Sequence, residues 1–174
     1  MFIINILEMI PLTLLINIFS YQLSLNLKVY NNLLKLYDFY EILPYEHLFI
    51  VQTDTYLRKP IDERMFEYDY VAAPWSWDFS SAGGGMSYRK KSVMLELCKK
   101  FKGDFESEDG FINEGIKALG YKMPDYLTGM KYICESTYYI DPMGVHQWWT
   151  FFEKDAKHAE LIFHKYLELE ILKE

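Results

Sequence analysis

At 174 residues the chain is long enough for one domain with a real core and too short for two. Its apolar share of 51% and aromatic share of 18% exclude a disordered segment, and a net charge of −7 without a Lys/Arg stripe excludes a nucleic-acid partner. A single nucleotide diphosphate stays open, because a metal ion or a few backbone N–H groups can hold one without a basic surface.

The first 27 residues carry no Lys or Arg and include an apolar run over 9–19. A secretory signal needs a basic start and a small-residue cleavage site, and both are missing. A membrane span needs about 20 apolar residues, and Glu8, Pro11, Asn17 and Gln22 interrupt this stretch. The segment therefore reads as a buried or docking element, able to pair with a second copy or a completing chain, with a membrane anchor as the alternative. Residues 2–7 are expected to form a strand. Over 23–40, Leu27, Tyr30, Leu33, Leu34 and Tyr37 follow helical spacing up to Pro44. The run HLFIV at 47–51 suits a strand buried on both faces, as in a parallel sheet.

A second strand is expected at 68–73, followed by a Trp-rich loop, the triplet Gly83-Gly84-Gly85 (a flexible turn in its plainest reading) and a short strand at 86–88. Residues 92–101 read as a helix with Lys99 and Lys100 at its C-terminus, where cations are favoured. A further helix runs over 107–119, capped by Ser107 and stopped by Gly120. Residues 132–139 read as extended, and from 151 to the end the chain reads as one amphipathic helix. Alternating strands and helices give the α/β class, and the whole chain reads as a single domain. Its parts are an apolar segment at 1–29, a core at 30–149 and a helix at 150–174. Cys98 and Cys134 have no metal-ligand spacing and are too few for a disulfide framework. As thiols in a reducing compartment they suggest a cytoplasmic setting, with membrane association left open by the apolar start.

Chemistry concentrates at few places. Gln52 and Asp54 follow a strand end, where ligands of open α/β sheets bind. If the strand continued through Thr53, their side chains would converge and suit Mg²⁺ or Mn²⁺. The alternative is a polar strand end turning into a loop. The glycine triplet admits a ligand or another backbone, and Arg89 after it can pair with a phosphate or serve as a structural partner. Glu108 and Asp109 suit either a helix N-terminus or a general base. His146 reads as a metal ligand, a phosphate donor or a packed imidazole. Trp75, Trp77, Trp148 and Trp149 can stack on sugars or fill the core. His47, His158 and His164 read as structural.

The ordered set LFIVQTDTYL, FEYDYVAAPW, GGGMSYRKKSVML, SEDGFIN and PMGVHQWW resembles a family of glycosyltransferase-like domains of unknown function. That family is similar to the GT-A nucleotide-sugar glycosyltransferases. The resemblance implies a GT-A-like (Rossmann-like), mostly parallel sheet flanked by helices, and transfer of a sugar from a nucleotide-sugar to a hydroxyl acceptor. It places Gln52 and Asp54 at the Asp-x-Asp motif, with Gly83, Gly84, Gly85, Arg89 and His146 around the donor. Asp109, or Glu108, would be the base of an inverting transfer, and Trp75 and Trp77 would meet the acceptor. A divalent cation, Mn²⁺ or Mg²⁺, would sit on Asp54 and His146, with a UDP-sugar as the first candidate donor.

Two departures stand out. Gln52 removes one negative charge from the Asp-x-Asp position, which weakens affinity for a hard cation. Few residues precede it, so the base-binding half expected of this family is incomplete at the N-terminus. A non-catalytic remnant that binds a nucleotide-sugar or glycan is therefore the competing function. A hydrolytic or phosphoryl-transfer enzyme ranks last, since no P-loop, Gly-x-Ser-x-Gly elbow or His-Glu-x-x-His motif is present.

Overall fold

The computed structural model describes residues 2–8, 17–25, 27–135, 137 and 139–147. In chain order the elements are β1 (Phe2–Glu8), β2 (Asn17–Leu25), α1 (Leu27–Leu33), α2 (Tyr37–Glu41), β3 (His47–Val51) and β4 (Thr55–Leu57). After a 3₁₀ turn at Glu63–Glu67 come β5 (Tyr70–Pro74), β6 (Ala82–Lys90), α3 (Lys91–Lys100) and α4 (Glu108–Leu119). The last are α5 (Tyr126–Tyr132), β7 (Ile133–Cys134) and β8 (Gly144–His146). Among the described residues no helix is long and apolar enough to cross a membrane. The helix expected beyond 150, with His158 and His164, lies outside the described residues, as do Trp148 and Trp149.

The sheet corrects the expected architecture. Five strands in the order β2-β1-β3-β6-β5 pair antiparallel throughout. A separate three-stranded sheet, β4-β8-β7, is mixed, with β4 antiparallel and β7 parallel to β8. The fold is a small α/β arrangement of two sheets, and not a mostly parallel GT-A-like sheet. The apolar run HLFIV does not make the sheet parallel, for a definable reason. A strand covered on both faces reads as continuously apolar whatever its partners' direction, and β3 is covered on both. Leu48 and Ile50 enter one core with Leu34 and with Tyr30, Tyr40, Met94, Leu97 and Ile112 from the helices. Phe49, between them in sequence, enters a second core with Met65, Val71, Met86, Tyr132 and Met143. Alternation thus feeds two cores instead of one core and solvent.

Local signals account for the helices. Ser107 accepts the Gly110 N–H at 3.1 Å as the cap of α4, and Gly120, at φ 75°, closes it in the left-handed region. The helix expected over 23–40 divides instead. Strand β2 runs to Leu25, and Leu36 interrupts the helical stretch with an extended backbone (ψ 133°) as it caps α2. The glycine triplet, open between a flexible turn and a site of close approach, lies inside β6.

Candidate functional site

Strand β3 hands over to the site through a turn. The Gln52 N–H still donates to the Gly85 carbonyl at 2.9 Å, and the Thr55 hydroxyl then donates back to the Gln52 carbonyl at 2.6 Å. The reversal breaks the period-two pattern, so Gln52 and Asp54 do not converge. Gln52 Nε2 donates to the buried Tyr30 hydroxyl at 2.8 Å, while Asp54 Oδ2 accepts from Gln147 Nε2 at 3.1 Å.

The small sheet then sets Asp54 beside an imidazole. Thr55 of β4 is paired with His146 of β8, and Cys134 of β7 with Val145. One residue beyond each pairing, Asp54 and Glu135 fall on either side of His146. Nε2 of the ring lies 3.2 Å from Asp54 Oδ1, and Nδ1 lies 3.1 Å from Glu135 Oε2. The His146 side chain is only 5% exposed, and neither ring nitrogen makes an aligned hydrogen bond. Burial pushes the imidazole pKa down, but the two carboxylates outweigh it and raise it to about 9. For Asp54 burial acts upward, and the contacts with His146 and Gln147 more than offset it, leaving the carboxyl below its ordinary value.

Strand β6 passes between this cluster and a second one. Ala72 stands opposite Ser87 but Ala73 opposite Gly83, so Gly84, Gly85 and Met86 bulge without partners on β5. Side chains take up the freed space and the freed backbone groups. A Cβ on Gly85 would collide with the His146 ring, and one on Gly83 would lie 2.6 Å from Glu135 Oε2 and 3.0 Å from Trp75 Nε1. A Cβ on Gly84 would strike Asp109, Glu108 and Arg89 instead. The triplet is needed because charged groups press on it from two sides.

The second cluster hangs from the start of α4. Asp109 Oδ1 accepts the Gly84 N–H at 2.6 Å. Asn113, one turn on, donates to the Ala82 carbonyl at 2.7 Å and accepts the Ala82 N–H at 2.9 Å, tying helix to strand. Arg89 is wholly buried. It donates through Nε to Ser87 Oγ (2.9 Å), through Nη1 to the Tyr40 hydroxyl (3.0 Å) and through Nη2 to Glu108 Oε1 (3.1 Å). The structure therefore puts Arg89 under the glycine strand as the partner of Glu108, out of reach of a phosphate at the surface. Burial, and then the charge of Glu108, push the Asp109 carboxyl well above the usual carboxylate range.

The indoles of Trp75 and Trp77 stack with centroids 5.4 Å apart and planes 17° from parallel, and Trp77 is 66% exposed. Asp78 stiffens their loop by accepting from the Ser80 N–H and from both the Ser80 and Ser81 hydroxyls. His47, expected as structural, contacts the Tyr88 hydroxyl through Nδ1 at 2.8 Å.

Residues 14–146 match the model of a family described as a protein of unknown function, DUF5672. The chain is a member of the DUF5672 family. No curated protein and no solved structure matches this DUF5672 chain.

Whether these residues suit a divalent cation can be judged from the donors. Among the described residues no group of three or more His, Cys, Asp or Glu is arranged to hold a metal ion. Two donors remain, Asp54 Oδ1 and His146 Nε2, and their 3.2 Å separation matches the ~3 Å between adjacent ligands of a small octahedral cation. Mg²⁺-type ions commonly take one or two protein ligands and complete their shell from phosphates and water. A buried imidazole without an aligned hydrogen bond fits that use. The pair fits as a two-point site, and Gln52 has no part in it.

Sequence reasoning overlooked Glu135 and Asn113 of this DUF5672 chain. Asn113 was visible in SEDGFIN as a polar residue one turn after Asp109, on the same face of the helix. Glu135 carried no such signal, because only the register of β7 against β8 brings it to His146.

Proposed function

We propose that this chain transfers a sugar from a nucleotide-activated donor, with a UDP-sugar as the first candidate, to the hydroxyl of a sugar or other acceptor. The observation that carries this reading is convergence. The glycine triplet, Glu108, Asp109 and His146 come from three separated motifs and meet at Gly83–Gly85, and Asp54, from a fourth, meets His146. The order of those motifs, similar to that of nucleotide-sugar glycosyltransferases, supplies the chemistry to test.

In this reading Asp109 is the base. Its Oδ1 is anchored on the Gly84 N–H, which leaves Oδ2 to take the proton of the acceptor hydroxyl. The freed oxygen attacks the anomeric carbon, and the bond to the diphosphate oxygen breaks with its electron pair leaving on the diphosphate. Asp54 and His146 would hold a divalent cation, which when bound would offset the diphosphate charge. Trp75, half-buried beside Gly83, stacks on the exposed Trp77, and the two offer an aromatic surface on which the acceptor stacks. Arg89 acts at a distance by holding Glu108.

One observation favours a non-catalytic binder instead. At the position of the first Asp-x-Asp acid, the Gln52 carboxamide is committed to Tyr30. Calorimetry with UDP-sugars, with and without Mn²⁺, paired with an assay for UDP release on an acceptor panel, separates the two. Metal-dependent binding with turnover supports the transferase; binding without turnover in the wild type and Asp109→Asn alike supports the binder. No binding at all removes both.

A further inference from the structure

We propose that Glu135 is a positioning residue for cation binding, holding the His146 imidazole so that Nε2 faces Asp54. The inference rests on the reading of Asp54 and His146 as the donor pair. An imidazole that coordinates through one nitrogen carries its proton on the other, and a carboxylate facing that second nitrogen fixes the ring's orientation and raises its basicity. Glu135 has that placement. Its Oε2 lies 3.1 Å from Nδ1, opposite the Asp54 side of the ring.

The placement is built into the backbone. The parallel pairing of Cys134 with Val145 carries one residue further to set Glu135 alongside His146. Gly83 then leaves the carboxylate its space, since a Cβ there would come within 2.6 Å of Oε2. Gly85 does the same for the ring. Asp54 is held independently, by Gln147 Nε2 at 3.1 Å and by the Gln147 N–H, which donates to the Asp54 carbonyl at 3.0 Å. With Glu135 removed, Asp54 keeps its position while the imidazole can turn about its own axis and present carbon instead of Nε2. Glu135 thus determines whether nitrogen is available beside Asp54.

Mn²⁺ alone is the probe, with the full chain and its Glu135→Ala, Glu135→Gln, His146→Ala and Asp54→Ala variants. Calorimetry should give one site in the wild type, lost in Asp54→Ala and weakened in His146→Ala. Glu135→Ala should weaken it roughly 10- to 100-fold, and Glu135→Gln, whose amide oxygen can still face Nδ1, should weaken it less. Pulsed electron paramagnetic resonance adds a readout that simple packing would not move. The wild-type Mn²⁺ should show coupling to an imidazole nitrogen, and Glu135→Ala should lose it while the protein remains folded. Equal affinity and undiminished nitrogen coupling in Glu135→Ala and Glu135→Gln overturn the role of Glu135 and leave the donor pair standing. Absence of Mn²⁺ binding in the wild type overturns the donor pair itself, and the positioning role with it.

Discussion

Asp54 and His146 meet because Thr55 is the residue paired with His146 across β4 and β8, which leaves Asp54 one step along with its Oδ1 3.2 Å from Nε2. Glu135 reaches the other nitrogen because the parallel register of Cys134 with Val145, continued by one residue, sets it level with His146. The central strand of a three-stranded sheet has two neighbours, so its last side chain can take an acid from each.

That flanking predicts a pH signature in the metal-free protein. The imidazole pKa is about 9 in the fold and about 6.5 in an unfolded chain, so the folded state binds the proton more tightly. The stabilisation is complete below about pH 6.5, and it is lost as pH rises through about 9. The gap corresponds to something on the order of 3 kcal/mol. Urea unfolding in EDTA should therefore show stability falling between pH 6.5 and 9.5, with a flatter profile in His146→Asn. An equally steep fall in that variant would assign the effect to another group.

For the proposed transfer, Asp109→Asn should lower kcat roughly 10²- to 10⁴-fold. UDP affinity should stay unchanged, because the amide oxygen still accepts the Gly84 N–H. Undiminished turnover in that variant would take the role of base away from Asp109.

The glycine contacts predict an unusual sensitivity to a methyl group. Gly85→Ala would drive a Cβ into the His146 ring, and Gly84→Ala would drive one into Asp109 and Glu108. Each should cost about 1–3 kcal/mol by thermal or chemical unfolding, as overpacking does. Gly85→Ala should also lose Mn²⁺ binding, whereas Gly84→Ala should spare it. Mn²⁺ titration of the pair discriminates the two clusters.

Arg89 and Glu108 form a pair that is almost wholly buried, with side chains 0% and 3% exposed. Arg89→Met strands a buried carboxylate and should cost about 3–5 kcal/mol, while Arg89→Met with Glu108→Gln should recover part of the loss. A double-mutant cycle in urea measures it; simple additivity of the two single changes would mean the pair is not coupled.

The helices flanking the site were legible from local chemistry. Ser107 and Gly120 bound α4 within the sequence itself, and the lysines at 99 and 100 mark the end of α3. Strand direction was not legible, because β3 takes its two buried faces from two cores and looks the same as a strand in a parallel sheet. Asp54 and His146 stood out as residue types at an abrupt strand end and in a GVH segment, but their juxtaposition depends on a turn at Thr53 that the period-two pattern hid. Arg89 stood in the sequence as either a phosphate ligand or a structural partner, because its burial is decided by Tyr40 and Glu108, both distant in sequence.

A run of glycines is usually where a chain absorbs an insertion or deletion without harm, and Gly83–Gly85 would be chosen as such a joint on inspection. The bulge makes it the opposite. Each glycine answers to a different neighbour, Glu135, Asp109 or His146 in turn, so removing one residue would shift the others into the wrong bay and present each cluster to the wrong stretch of main chain. Length at this point is as constrained as composition, and a single-residue deletion here should be worse tolerated than any one substitution within the triplet.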